Sequence, residues 1–160
     1  ELWEEIRAVA LAWGVGVVTP ERISEVNVLR ATHEAMAMAV EALDPAPEFV
    51  LVDGRDVPAF GVPHLAVIDG DQRCYSIAAA SIGAKVTRDA LMDELARVFP
   101  EYGFDRHRGY GTREHQRALR EFGPCPCHRL GYAPIQALCQ GVLELADPTD
   151  VAAADILGDP

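Results

Sequence analysis

Apolar residues recur at intervals of three and four along residues 2–11. Leu2, Ile6 and Val9 fall on one side and Glu4, Glu5 and Arg7 on the other, so the spacing predicts an opening helix. Residues 13–18 then turn apolar and β-branched, which predicts a strand. Thr19-Pro20-Glu21 has the chemistry of a helix start: a hydroxyl able to cap, a proline suited to the first turn and an acid that suits the helix dipole. The next helix carries Val26, Leu29, His33, Met36, Val40 and Leu43 in one stripe and ends at Asp44-Pro45-Ala46-Pro47. His33 reads as a packed histidine, because no acid or second histidine repeats on its face.

Residues 49–52 and 65–68 are short continuous apolar runs, which suit strands buried on both faces. An aspartate beside a glycine closes each: Asp53 in Leu51-Val52-Asp53-Gly54, and Asp71 in Gly70-Asp71. In an antiparallel hairpin the two carboxylates would stand about 17 Å apart. In a parallel pair they reach the same rim, where a strand fixes a side chain that stays open to ligand. The connecting residues 54–63 include Pro58 and Pro63, which disfavour a tight hairpin, so a parallel pair is expected. One strand-end aspartate before glycine is ordinarily a turn former; two at one rim would make a divalent-metal site.

After Asp71 comes Ser76, a candidate N-cap, then Ala78, Ala79, Ala80, Ser81 and Gly83. A first turn of such small bulk lets another backbone or a nucleic-acid strand approach, and its free amides favour a phosphate, with Lys85 and Arg88 as further contacts. The helix runs on through Leu91, Leu95 and Val98 to Pro100, and a loop is expected from Tyr102 to Thr112. Within it Tyr110 lies between glycines and beside His107 and Arg108, so its ring can face a sugar or base. Thr112 caps a helix whose face is His115, Ala118, Leu119 and Phe122, closed by Gly123-Pro124, with His115 read as packed. Residues 134–145 predict a docking helix, and residues 147–160 an acidic, loosely held tail.

The 160 residues, 49% hydrophobic, suit one domain over residues 1–146 followed by that tail. No run is long enough to cross a membrane as a helix and the start lacks a signal-peptide layout, so a cytoplasmic, monomeric protein is expected. Cys125-Pro126-Cys127-His128 invites a metal reading, yet it offers at most three close ligands where a zinc site needs four, and its thiols are read as structural. A net charge of -11 argues against nucleic acid, but residues 103–129 hold six arginines against three acids, a net of +3 that leaves -14 elsewhere.

Taken in order, the stretches 23–36 (ISEVNVLRATHEAM), 51–54 (LVDG), 70–89 (GDQRCYSIAAASIGAKVTRD) and 102–112 (YGFDRHRGYGT), then Gly123-Pro124, His128-Arg129 and Ala133-Pro134, resemble ribonuclease HII, the type 2 ribonuclease H. The resemblance implies an α/β fold: a ribonuclease H-like mixed sheet flanked by helices, with a helical C-terminal region. It implies an endonuclease that hydrolyses the RNA strand of RNA/DNA hybrids and cuts on the 5' side of ribonucleotides embedded in duplex DNA, leaving 5'-phosphomonoesters. Two metal ions, Mn2+ or Mg2+, carry that chemistry. Asp53 and Asp71 match two of the four metal-holding carboxylates, and Tyr110 matches the tyrosine against the sugar at the RNA–DNA junction. Arg108, His107, Ser76 and Lys85 are the accompanying substrate contacts.

No Asp-Glu-x-Gly-Arg-Gly strand, which supplies the family's other two carboxylates, occurs in the chain. The first two strands are therefore expected to be missing, the chain to be an N-terminally truncated fragment, and residues 1–160 alone to be inactive or nearly so. The alternative is a non-catalytic nucleic-acid-binding module, for which the arginine segment and Tyr110 would suffice.

Overall fold

The spacing of the opening residues folds as expected into α1 (Leu2–Val9), which carries Trp3 on its less exposed side. The structure, a computed structural model, describes residues 2–55 and 59–139. It divides into two compact units, Glu1–Thr19 with Val26–Arg88 and Pro20–Glu25 with Asp89–Pro160.

In the first unit, residues 13–18 form no strand. The reason lies in Gly14 and Gly16, which pack on the backbone of α3 (Val28–Glu41). A Cβ on Gly16 would stand 1.9 Å from the Ala35 carbonyl oxygen, and one on Gly14 2.6 Å from that of Ala39. The β-branched composition is thus overridden by a helix contact that only glycine permits. The two helices expected over residues 20–43 both form, with Val26 closing the first rather than opening the second. α2 (Pro20–Val26) ends at Asn27, which adopts φ 77° and caps α3 by accepting from the Arg30 N–H at 3.1 Å.

β1 (Val50–Asp53) and β2 (His64–Val67) pair in parallel, Val50 opposite His64 and Asp53 opposite Val67, as the connection predicts. The described part of that connection contains no helix. Burial on both faces is not observed: Val52 is buried, while the paired Leu51 and Leu65 are exposed. Two strands alone leave one pleat face uncovered among the described residues. α4 (Gly70–Arg73) follows β2, and α5 (Tyr75–Val98) follows α4. The first part of α5 takes α1 through Gly83, where a Cβ would meet the Trp3 ring at 2.7 Å. Trp13 meets Trp3 edge-on at 5.5 Å, with the Arg7 guanidinium 4.9 Å above the Trp13 ring.

The second unit is built on the rest of α5, a 3-10 turn at Pro100–Tyr102, α6 (Phe104–His107), α7 (Arg113–Phe122) and α8 (Ala133–Cys139). The loop expected over residues 102–112 therefore begins with two short helical turns. Thr112 caps α7 as predicted, accepting from the His115 N–H at 3.3 Å. Tyr102, Phe104, Ala118, Leu119, Cys125 and Ile135 form the core. The buried Tyr102 hydroxyl donates to the Gly123 carbonyl at 2.6 Å, which fixes the end of α7. The docking helix expected over residues 134–145 is described as far as Cys139, and the acidic tail at 147–160 lies outside the described residues. No described helix is long and apolar enough to cross a membrane.

Candidate functional site

Parallel pairing places Asp53 at the C-terminal rim of the sheet, and the chain leaving β2 turns back at that rim. Asp69 adopts the left-handed conformation, φ 53°, which starts α4 at Gly70 and sets Asp71 in its first turn. The Gly70 N–H donates to Asp53 Oδ1 at 2.8 Å, so the residue before Asp71 is bonded directly to the Asp53 carboxylate. Gly70 is buried, and a Cβ there would lie 2.6 Å from Ile77 Cδ1 and 3.2 Å from Asp53 Oδ1. Glycine is what lets the turn come this close. Asp53 and Asp71 are both exposed, and one amide donor occupies a single lone pair of Asp53. Hard oxygen donors open to solvent fit Mg2+ or Mn2+.

Ser76 does not cap α5. The helix begins at Tyr75, so Ser76 sits inside the first turn, where it lines an apolar cleft of about 360 Å³ with Val40, Leu43, Phe49 and Leu51. Lys85 lies exposed on the same helix. Within the second unit, Arg108 adopts φ 52° and its guanidinium is tied to α5, donating to the Asp89 carbonyl at 3.0 Å and to the Asp93 carboxylate. His107 is buried, contrary to a direct donor role. Its Nε2–H donates to the Tyr102 carbonyl at 2.7 Å and its Nδ1 accepts from the Gly109 N–H at 3.2 Å, so both ring nitrogens serve the loop. Tyr110 is held by its backbone, its N–H donating to the His107 carbonyl at 2.8 Å, while its ring is 51% exposed.

The ribonuclease HII family model matches residues 3–135. The chain belongs to the ribonuclease HII family. It is 50% identical over 129 residues to the ribonuclease HII of Chlamydia pneumoniae, covering 81% of this chain and 60% of that one. The ribonuclease HII of Chlamydia caviae is 53% identical over 126 residues, covering 79% and 59%. The chain thus spans about 60% of the length of the curated relatives it matches. A solved ribonuclease H2 from Pyrococcus horikoshii OT3 shares the fold, with a TM-score of 0.71 and 22% identity over 88% of this chain and 74% of that one.

In this ribonuclease HII chain the sequence reading missed two features. One is Gly70 as a donor to Asp53, signalled only by a glycine immediately before an aspartate. The other is a buried row of imidazoles: His107 stacks on His115 at 4.5 Å, and His115 lies 5.3 Å from His128. Burial pushes His115 down from 6.5 to about 4; the hydrogen bond to the Tyr110 carbonyl opposes this, while His107 and His128 add to it. Burial also lowers His128.

The unfolded chain therefore binds more protons than the folded one as pH falls from about 6.5 to about 4. The stability contributed by keeping these imidazoles neutral is complete above pH 6.5 and declines through that window, by at most about 3 kcal/mol from His115. Urea midpoints measured against pH in chelator are expected to fall there, and His115→Gln should flatten the slope.

Proposed function

We propose that the chain is the part of a metal-dependent endoribonuclease that carries Asp53 and Asp71 as metal ligands and Tyr110 as a substrate contact. The substrates are RNA/DNA hybrids and duplex DNA with embedded ribonucleotides, cut on the 5' side of the ribonucleotide. The observation that carries this reading is the bond from the Gly70 N–H to Asp53 Oδ1, which brings the backbone just before Asp71 to the Asp53 carboxylate at the sheet rim.

Asp53 and Asp71 would hold Mg2+ or Mn2+ as ionised ligands rather than carry protons. Two ions held there would acidify a water and offset charge on the phosphoryl group during an in-line displacement. Gly70 orients Asp53 through its N–H. The exposed Tyr110 ring would lie against the sugar, where the 2'-hydroxyl distinguishes RNA from DNA. Arg108, Lys85 and the Ser76 hydroxyl would meet backbone phosphates, Arg108 by exchanging its bond to Asp93 for one to phosphate. His107 acts as a positioning residue, because it braces the backbone that leads to Tyr110. The protein is proposed to act as a cytoplasmic monomer. Residues 1–160 supply two carboxylates to two ions that need near-octahedral oxygen cages, so cleavage by this polypeptide alone is expected to be very weak.

Hybrid binding tests the reading. Mn2+ is expected to tighten binding of an RNA/DNA hybrid to residues 1–160, and Asp71→Ala should remove that gain without altering binding in chelator. Tyr110→Ala is expected to weaken hybrid binding about tenfold while Tyr110→Phe retains it. Equal binding with and without Mn2+ would instead support a non-catalytic binding module.

A further inference from the structure

The second unit contains a cluster that the proposed nuclease chemistry does not use. The Sγ atoms of Cys125 and Cys127 and a ring nitrogen of His128 all lie within 4.8 Å of one another. Cys125 Sγ stands 2.7 Å from Cys127 Sγ and 3.0 Å from His128 Nδ1. The proton order of the neighbouring imidazoles decides what His128 can offer. His115 Nδ1 faces the Tyr110 carbonyl at 3.0 Å and must donate to it, which leaves His115 Nε2 as an acceptor. His128 Nε2, 3.0 Å away, therefore carries the proton and donates it. The opposite order would set two acceptors against each other, His115 Nδ1 and the Tyr110 oxygen. His128 Nδ1 consequently carries its lone pair on the thiol side, where it accepts from the Cys125 N–H at 3.0 Å with the Cys125 carbonyl 3.2 Å away, and a bound ion would take that lone pair in exchange for the N–H.

We infer that Cys125, Cys127 and His128 form a binding site for a thiophilic closed-shell cation, Zn2+ or Cu+, held by two thiolates and one imidazole. The arrangement has what such a site requires. The donors are soft sulfur and imidazole nitrogen, unlike the hard oxygens at the sheet rim. The ligating histidine is oriented through its other nitrogen, by His115. Cys125 and His128 are buried, while the half-buried Cys127 gives the ion a way in.

Tetrahedral bonds of about 2.3 Å to sulfur would set the two sulfurs about 3.8 Å apart, so the thiols open by about 1 Å as the ion enters. Each thiol releases one proton, and no electron is transferred. With Zn2+ the two thiolate charges balance the ion, and a water completes the fourth position. The ion would tie the turn between α7 and α8 to the core through Cys125, and to the Tyr110 backbone through His128 and His115.

Co2+ titration of reduced, chelator-stripped residues 1–160 tests the inference. One equivalent is expected to produce a sulfur-to-cobalt charge-transfer band that Zn2+ or Cu+ abolishes and excess Mg2+ does not. Competition between those two cations against chromophoric chelators reports which is held more tightly. Two protons should be released per Zn2+, and the thermal midpoint should rise. Cys127→Ser, at a half-buried position, should lose the band while keeping its circular dichroism; Cys74→Ser with Cys139→Ser, and Asp53→Asn, should keep it. A band that survives Cys127→Ser, or a Cys125–Cys127 pair that reacts as a disulfide and takes no cation after reduction, would overturn the site.

Discussion

Asp71→Asn and Asp53→Asn are each expected to lower Mn2+ affinity at the sheet rim by at least about tenfold, a loss of roughly 1.4 kcal/mol or more. An amide removes one negative charge and replaces one oxygen donor by an N–H2 group that repels a cation. At Asp53 the change is also gentle to the fold, because asparagine keeps an oxygen that can accept from the Gly70 N–H. Circular dichroism and urea midpoints should therefore stay near those of the parent while calorimetric Mn2+ binding is lost. The double variant should bind no more weakly than the weaker single variant if both carboxylates serve the same ions. Purely additive losses would instead place them in separate sites.

Gly16→Ala is expected to destabilise the first unit by about 3 kcal/mol. The added carbon would stand 1.9 Å from the Ala35 carbonyl oxygen and 2.7 Å from the Ala35 carbonyl carbon. Both are backbone atoms of α3, so no rotamer change relieves the clash, and residues 13–18 must lift off the helix. Gly14→Ala, at 2.6 Å from the Ala39 oxygen, should cost less. Urea denaturation of the two variants gives the ranking, and equal midpoints for Gly16→Ala and the parent would show that this contact does not hold the segment.

Much of this was legible in the residues, and the exceptions have physical causes. The helices α1, α3, α5 and α7 follow from three-and-four spacing, because each needs only its own periodicity to be recognised. The parallel sense of β1 and β2 followed from prolines in the connection, a local feature with a non-local consequence. Residues 13–18 misled, since valines report strand propensity while Gly14 and Gly16 report a close approach to a partner the sequence does not name. Asn27 was hidden inside an apolar stripe whose period continues across it, although its side chain caps α3.

At the site, Asp53 and Asp71 could be picked out because each closes an apolar run. Their link through Gly70 could not, since it is a tertiary bond across 17 residues. His107 is the instructive case: its neighbours Arg108 and Tyr110 suggested a ligand contact, yet burial directs both ring nitrogens to backbone atoms. The Cys125–Cys127–His128 cluster was visible as a spacing, but the proton order that turns His128 Nδ1 toward the thiols depends on His115 and Tyr110, 13 and 18 residues away.

The claim on which the nuclease reading rests is that Asp53 and Asp71 share one cation site. Paramagnetic broadening by substoichiometric Mn2+ in the amide NMR spectrum of residues 1–160 tests it most directly, because Mn2+ prefers oxygen ligands to the thiols of the second unit. The amides of Gly54, Gly70 and Asp71 are predicted to broaden together, and to sharpen together in Asp53→Asn. Broadening around Asp71 that leaves Gly54 sharp, or that persists in Asp53→Asn, would contradict a shared site.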